Sequence, residues 1–379
     1  MYMENKPFLL RPSGKDYLWG GTRLNDEFAK NIDMTPLAET WECSTHPDGP
    51  SYVASGVFKG MTLTEVLKAH PYFLGSHTLG SHTLGSYTLD NDTSISHGLD
   101  SIRPDKPRSD NPSLDIPSRN CQNDDFCPWN GQLPILIKLI DAKRDLSIQV
   151  HPTDQYAKDH ENGQLGKTEM WYVLDAVKDA KLVYGLKHDC DAQTLRQAIS
   201  DGTVEKYLQK VPVKKDDLFL IEAGTIHAVG AGTLLAEIQE NSNLTYRLYD
   251  YDRIDKNGQK RGLHIDKALA VANLSSSTEP KQPLRVLKYC QGTASELLCR
   301  CKYFEVYRMI VNTERRQVVH YQSDDISFRI LLCVGGCGTI SYENDRCDLK
   351  FYKGDCLFVP ANSIKFSIHG QAKFLDVRG

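Results

Sequence analysis

The chain has 379 residues, 40% hydrophobic and 25% charged, with a formal net charge of -4. That length suits two or three domains with ample material for a core. The charge balance gives no basic footprint for nucleic acid or an anionic membrane, and no run of about 18 apolar residues signals a transmembrane helix.

The first residues, MYMENKPFLLRPSGKDYLWGG, lack a basic stretch followed by an apolar one, so no secretory signal is expected. Cysteine is present 11 times, an odd number, and no Cys-x-x-Cys pair occurs. Reduced thiols and a cytoplasmic location are expected, and Cys299 and Cys301 are not read as a metal pair.

Residues 1–75 read as folded, with a helical pattern at Leu63–His70. From 76 to 129 the chain carries GSHTLGSHTLGSYTL and then many Ser, Asp, Asn and Pro. Such a segment cannot bury enough apolar surface to offset chain entropy, so it reads as an insertion, with His77, His82 and His97 as solvated loop histidines. Residues 130–283 are dense in strand signals. The exceptions are Asp191–Lys210 and His264–Leu274, whose apolar spacing predicts short helices. The tail, 284–379, is again short strands and turns. Many short strands with regular turns predict a mainly β fold, a sandwich or barrel. KKDDLFLIEAGTIHAVG (214–230) and YKGDCLFVPANSIKFSIHG (352–370) share a strand–turn–strand pattern, which predicts two barrels of one ancestry. The tail copy has Lys365 or Phe366 where the first has His227, so the second barrel is expected to hold no metal.

Three segments carry the chemistry. In LSIQVHP, strand alternation puts Leu146, Ile148 and Val150 on one face and Ser147, Gln149 and His151 on the other. In KTEMWYV, Lys167, Glu169 and Trp171 share a face, and a carboxylate between apolar neighbours needs a cation or metal. In EAGTIHAVG, small residues flank His227 and permit a tight turn. Two imidazoles, a carboxylate and an amide oxygen suit a divalent transition metal with open positions. Zinc fits best, with manganese or iron(II) open. Lys138 interrupts the apolar run PILIKLI, which is costly unless it meets an anion. Glu237 and Gln239 alternate against Leu234, Ala236 and Ile238. Arg247 is a candidate for a substrate phosphate or a developing oxyanion, or alternatively a salt-bridge partner of Asp250 or Asp252.

The segments KLIDAKRDLSIQVHP, GKTEMWYVLDA, VPVKKDDLFLIEAGTIHAVGAGTLLAEIQENSNLTYRLYDYDR and ETWECSTHPDGPS together resemble the type I mannose-6-phosphate isomerases, especially the short bacterial forms. The resemblance covers most of 7–74 and 131–275 and is weaker in the tail. It implies a pair of cupin (jelly-roll) β-sandwiches with a few short helices and one zinc per chain on Gln149, His151, Glu169 and His227. It also implies catalytic roles for Arg247, Lys167 and Glu237, and substrate contacts for Lys138 and Ser147. The implied domains are 1–75 plus 130–283 for the metal-binding cupin and 284–379 for the second. Two departures stand out: the 76–129 insertion, and ETWECSTHP in place of a smaller-residue wording. The implied reaction is an aldose–ketose shift through an enediol, between mannose 6-phosphate and fructose 6-phosphate. The base is open between Glu237, Lys167 and a zinc-bound hydroxide. The partner is a small phosphosugar, with no obligate protein partner implied. The rival readings are another metal cupin enzyme, such as an iron(II) dioxygenase, and a non-catalytic phosphosugar-binding cupin. Gln149 and the two buried lysines favour an anionic substrate over the first. The complete ligand set argues against the second.

Overall fold

The computed structural model describes residues 5–76, 130–254, 258–278, 280, 282, 285–314, 317–343 and 348–379. Apart from Ser76, the insertion expected over 76–129 lies outside the described residues.

The strands and helices alternate unevenly along the chain. β1 (Phe8–Arg11) and β2 (Ser13–Lys15) precede α1 (Arg23–Phe28), β3 (Glu39–Cys43), β4 (Tyr52–Val53) and α2 (Leu63–Ala69). β5 (Ile135–Ala142), β6 (Ile148–Val150), α3 (Asp154–His160), β7 (Glu169–Ala176) and β8 (Lys181–Leu186) follow. Next come α4 (Ala192–Ser200), β9 (Leu208–Pro212), β10 (Leu218–Ile221), β11 (His227–Ala228), β12 (Thr233–Glu240), β13 (Tyr246–Tyr249) and α5 (Ile265–Val271). The tail supplies β14 (Lys288–Cys290), β15 (Thr293–Arg300), β16 (Glu305–Asn312), β17 (Val319–Tyr321), β18 (Arg329–Tyr342), β19 (Leu349–Tyr352), β20 (Cys356–Val359) and β21 (Phe366–Arg378).

α2, α4 and α5 stand where the apolar spacing places them. α2 opens on a capping box, with the Thr62 side chain accepting from the Glu65 amide while the Glu65 carboxylate accepts from the Thr62 amide. α1 and α3 carry no apolar stripe to announce them: α1 buries only Leu24 and Phe28, and α3 only Ala157.

The strands form three sheets, and their named pairings are antiparallel. A six-stranded sheet runs β10-β7-β12-β5-β3-β2, and a five-stranded sheet runs β13-β6-β11-β8-β9. A ten-stranded sheet takes every tail strand and also β1 and β4. The expected mainly β, two-cupin architecture is thus observed, with residues 1–75 divided between two sheets.

The layers explain which strands are buried on both faces. α4 and α5 cover the outer face of the five-stranded sheet, with Leu195, Ile199, Ala268 and Leu269 packed on Ile148 and Val150. Trp19, Ile140, Trp171, Phe219 and Leu235 fill the space between the five- and six-stranded sheets. The other face of the six-stranded sheet, including Ile135, Ile137, Met170 and Ile238, packs on Phe8, Phe304, Phe328, Ile330 and Phe358 of the ten-stranded sheet. β5 and β12 lie in the middle of this stack, and all eight residues of each are buried. A polar side chain on either strand must find its partners largely within the protein.

One detail of the expected alternation changes. Leu146 was placed with Ile148 and Val150, but it precedes β6 and packs in the cluster between the two sheets. Alternation holds only inside the ladder, and this ladder begins at Ile148.

Candidate metal centre and active site

Antiparallel register assembles the site from distant segments. On the inner face of the six-stranded sheet, Trp41 is the Cα partner of Lys138, Lys138 of Glu237, Glu237 of Trp171, and Trp171 of Phe219. Two residues along, Gln239 is the partner of Glu169. The facing sheet pairs Gln149 with His227 on one side and with Arg247 on the other. His151 follows β6 directly. The turn before His227 needs Gly224, whose φ is +90°. Its amide donates to the His151 carbonyl at 2.8 Å, tying the two histidine segments together.

Each imidazole is fixed by a backbone carbonyl. Nδ1 of His151 lies 2.8 Å from the Leu244 oxygen, and Nδ1 of His227 lies 2.8 Å from the Thr225 oxygen. A carbonyl only accepts, so both Nδ1 atoms carry the proton and both Nε2 atoms present a lone pair. Those lone pairs face one carboxylate: His151 Nε2 is 3.5 Å from Glu169 Oε2, and His227 Nε2 is 3.3 Å from Glu169 Oε1. The ligand atoms of the three residues lie within 4.8 Å of one another, all three residues being buried. Gln149 completes the ring, its Nε2 3.3 Å from His227 Nε2. The two ends of a carboxamide are nearly the same shape, so turning it over puts its oxygen in the same place.

The charges around this ring are dense. Lys167 Nζ lies 2.7 Å from Glu169 Oε2 and 3.8 Å from Glu237 Oε1. Lys138 Nζ lies 3.2 Å from Glu237 Oε1, 3.9 Å from Glu39 Oε2 and 4.9 Å from the centroid of the Trp41 ring. The Trp171 indole donates to Glu237 Oε2 at 3.0 Å, and the Trp41 indole to Glu39 Oε2 at 2.8 Å. Burial pushes the Glu169 carboxyl up, but the Lys167 ammonium beside it outweighs this and holds it well below the usual range. Burial and the Lys167 charge push His151 down to about 3, and burial pushes His227 down as well. Burial pulls Lys138 down, yet Glu237, Glu39 and Glu169 together raise it. Both imidazoles are therefore neutral and the carboxylate charged, the protonation states a metal requires.

These residues fit a divalent cation on an observation of their own. His151 Nε2 and both Glu169 oxygens are buried without a hydrogen-bond partner, although Lys167 forms an ion pair with one of them. Leaving buried polar atoms orphaned costs about 1–3 kcal/mol each, so three converging on one point ask for a positive centre. Two nitrogens, a carboxylate and an amide oxygen match zinc, with coordination positions left open.

Every sequence-derived site residue lies in this region. Gln149, His151, Glu169, His227, Lys167, Glu237 and Lys138 form the inner cluster. Ser147 and Arg247 sit beside it, the arginine Nε 3.2 Å from Ser147 Oγ and its Nη1 2.9 Å from the Gly262 oxygen. Asp250 and Asp252 do not take Arg247. Asp250 accepts from Arg253 and Arg261, and Asp252 pairs with Lys260 at 2.6 Å. Among the described residues no carboxylate pairs with Arg247, so its charge is available to a ligand. The sequence reading missed Glu39 and Trp41, although alternation in ETWEC puts them on one face. It also missed Arg253 and Arg261, which are drawn in by the folded loop, and the two carbonyls that orient the histidines.

In the tail, Phe366 is buried in the barrel and Lys365 is exposed, where the first copy carries His227. Among the described residues, His151, Glu169 and His227 are the one group of three able to hold a metal.

The sequence model for the catalytic domain of type I phosphomannose isomerase matches residues 8–124 and 109–178, and that for the mannose-6-phosphate isomerase cupin domain matches 294–378. The chain is 32% identical to the mannose-6-phosphate isomerase ManA of Bacillus subtilis (strain 168), over 98% of each chain. It is similar to the crystal structure of the mannose 6-phosphate isomerase from Bacillus subtilis, with a TM-score of 0.77 and 30% identity over 99% of this chain and 100% of the other. A zinc-bound mannose 6-phosphate isomerase shares the fold, with a TM-score of 0.65 and 15% identity over 99% of each chain.

Proposed function

The chain belongs to the type I mannose-6-phosphate isomerases, enzymes that interconvert an aldose and a ketose phosphate, and from that membership we propose how its own residues divide the work. One zinc ion per chain is held by Gln149, His151, Glu169 and His227. The observation that carries this reading is the convergence of His151 Nε2 and both Glu169 oxygens, buried and without hydrogen-bond partners. The zinc-bound relative of the same fold agrees with it.

When bound, the ion supplies a Lewis acid beside the sugar carbonyl and the neighbouring hydroxyl. Glu237 Oε2 is fixed by the Trp171 indole, while Oε1 meets only the two ammonium groups of Lys138 and Lys167 and points into the site. It is therefore the acceptor the site offers to the proton that moves between the two reacting carbons. Lys138 and Lys167 flank that oxygen and offset negative charge as the enediolate forms. Arg247, steadied by Ser147 and the Gly262 carbonyl, presents its guanidinium to the sugar phosphate or the developing oxyanion. The sandwich around them excludes water, so these charges act at low dielectric.

The substrate is a small phosphosugar, and no obligate protein partner is called for. We place the protein in the cytoplasm. The cysteines among the described residues are all free thiols, and no helix there is long and apolar enough to cross a membrane. The test is elemental analysis of the purified protein beside a coupled assay for fructose 6-phosphate, with and without a chelator. Stoichiometric zinc that is removed together with turnover supports the assignment, and turnover in metal-free protein sinks it.

A further inference from the structure

The segment that delivers Lys167 and Glu169 to the site is held from outside the site. Residues 165–168 lie between α3 and β7. Besides the Glu240 amide, which donates to the Thr168 carbonyl at 3.1 Å, four hydrogen bonds fix them. The Gly166 amide donates to Asp154 Oδ1 at 3.0 Å, and the Lys167 amide to the Pro152 carbonyl at 3.1 Å. The Thr168 amide donates to Glu240 Oε1 at 2.6 Å, and Ser242 Oγ donates to the Leu165 carbonyl at 2.9 Å. Gly166 is required by close approach, since a Cβ there would stand 2.4 Å from the Asp154 nitrogen and 2.5 Å from the Thr153 carbonyl carbon.

Two of the four anchors, Asp154 and Glu240, are side chains that are hydrogen-bonded to each other. Two carboxyl groups in contact share one proton. Burial and the neighbouring Asp154 charge push Glu240 up to about 9. Burial also pushes Asp154 up, but hydrogen bonds from Glu240, Tyr303 and Gly166 outweigh it and hold it below its usual value. The proton thus belongs to Glu240, which donates to Asp154 and whose Oε1 accepts from the Thr168 amide.

The chain of contacts does not end at Asp154. Its Oδ2 accepts from the Tyr303 hydroxyl at 2.7 Å, and Lys302 Nζ lies 3.4 Å from the same oxygen. Tyr303 lies in the β15–β16 turn of the tail, next to Phe304, which is fully buried in the core shared by the two barrels. We infer that Tyr303 is a positioning residue for the isomerase site: its hydroxyl closes the chain Tyr303–Asp154–Glu240, which fixes the Gly166 and Thr168 amides and so places Lys167 and Glu169. The tail barrel then contributes to the chemistry by registering one strand of its neighbour. This inference rests on the zinc reading of Glu169.

The test uses the full-length, zinc-loaded protein and the variants Tyr303→Phe, Asp154→Asn, Glu240→Ala and Glu240→Gln. Zinc affinity is measured by competition with a chromophoric chelator, kcat and KM are measured separately, and Thr168 amide exchange is followed by NMR. Tyr303→Phe keeps the ring and its packing. It is expected to weaken zinc binding and lower kcat by about threefold to tenfold each, with KM changed by less than about twofold. Glu240→Ala should lose more, and Glu240→Gln, which keeps a donor and an acceptor, should recover most of that loss. Tyr303→Phe combined with Asp154→Asn should be no worse than Asp154→Asn alone, because both cut one chain. The inference is overturned if Tyr303→Phe lowers only the melting temperature, or if the two losses multiply. If the wild-type protein binds no zinc, the metal reading fails. Thr168 exchange then decides the chain by itself, unchanged protection in Tyr303→Phe overturning it.

Discussion

Lys138 and Glu237 are Cα partners across β5 and β12, and their charged ends lie 3.2 Å apart with both side chains buried. Removing one partner of such a pair leaves an uncompensated buried charge, which costs about 3–5 kcal/mol. Lys138→Met should therefore lower the melting temperature and raise KM while zinc is retained. Lys138→Met with Glu237→Gln should recover much of the stability and none of the turnover. Thermal melts and steady-state kinetics on the same samples check this. A double variant less stable than Lys138→Met would show that the pair is not the source of the loss.

His151→Ala and His227→Ala should each lose zinc and nearly all turnover. Each removes an imidazole whose Nδ1 is committed to a carbonyl and whose Nε2 has Glu169 before it. A chelator should act on the wild type in the same direction and lower its melting temperature, since a ligand at about 100 times its dissociation constant adds about 2.7 kcal/mol of stability. Elemental analysis decides the assignment: either variant holding a full equivalent of zinc would remove that histidine from the ligand set.

Arg247→Ala should separate metal from catalysis. The arginine meets Ser147 and the Gly262 carbonyl and none of the four ligands through its side chain. Zinc should stay while turnover falls by about two to three powers of ten, the scale for removing one charge-stabilising donor. Arg247→Lys should restore little, because an ammonium cannot reproduce the planar fork. Normal turnover in Arg247→Ala would leave the arginine with a structural role only.

Glu240 gives a stability test with a definite sign. Its folded value, pushed up to about 9, exceeds the ordinary carboxyl value of 4.5. The stability it contributes as a neutral acid is complete below the unfolded value and is lost as pH rises through the folded one. Glu240→Gln cannot ionise and keeps both hydrogen bonds. The melting temperature of the variant should therefore gain on that of the wild type as pH climbs from about 5 toward 9. Parallel curves across that range would mean that Glu240 is ionised in the fold.

The legible part of the site was the part written in strand alternation. Gln149 with His151, Lys167 with Glu169, and Lys138 within an apolar run each announce a polar group on a buried face. The three helices with apolar spacing were legible for the same reason. Other parts depend on pairings between distant segments. Nothing in the spacing of Arg247 distinguishes a ligand contact from an ion pair with Asp250 until Arg253 and Arg261 are seen to take that aspartate. The carbonyls of Leu244 and Thr225 carry no sequence signature, because every residue has a carbonyl. Tyr303 is remote from the ligand segments in sequence, and only the packing of the two barrels brings its hydroxyl to Asp154.

The placement of β1 has a consequence for how the chain is made. Phe8, Leu9 and Leu10 pair with Phe358, Leu357 and Cys356, so β1 completes its ladder with a strand made about 350 residues later. Until the ribosome has delivered residue 358, that strand exposes unpaired amides and the apolar side chains of Phe8 and Leu10, the kind of edge that recruits other chains. The ten-stranded sheet is complete only once β21 has been made. Contacts of such sequence separation are slow to form, so folding to completion should trail synthesis rather than accompany it. A message truncated before β20 would yield a chain with all four of its metal ligands in place and β1 without its β20 partner.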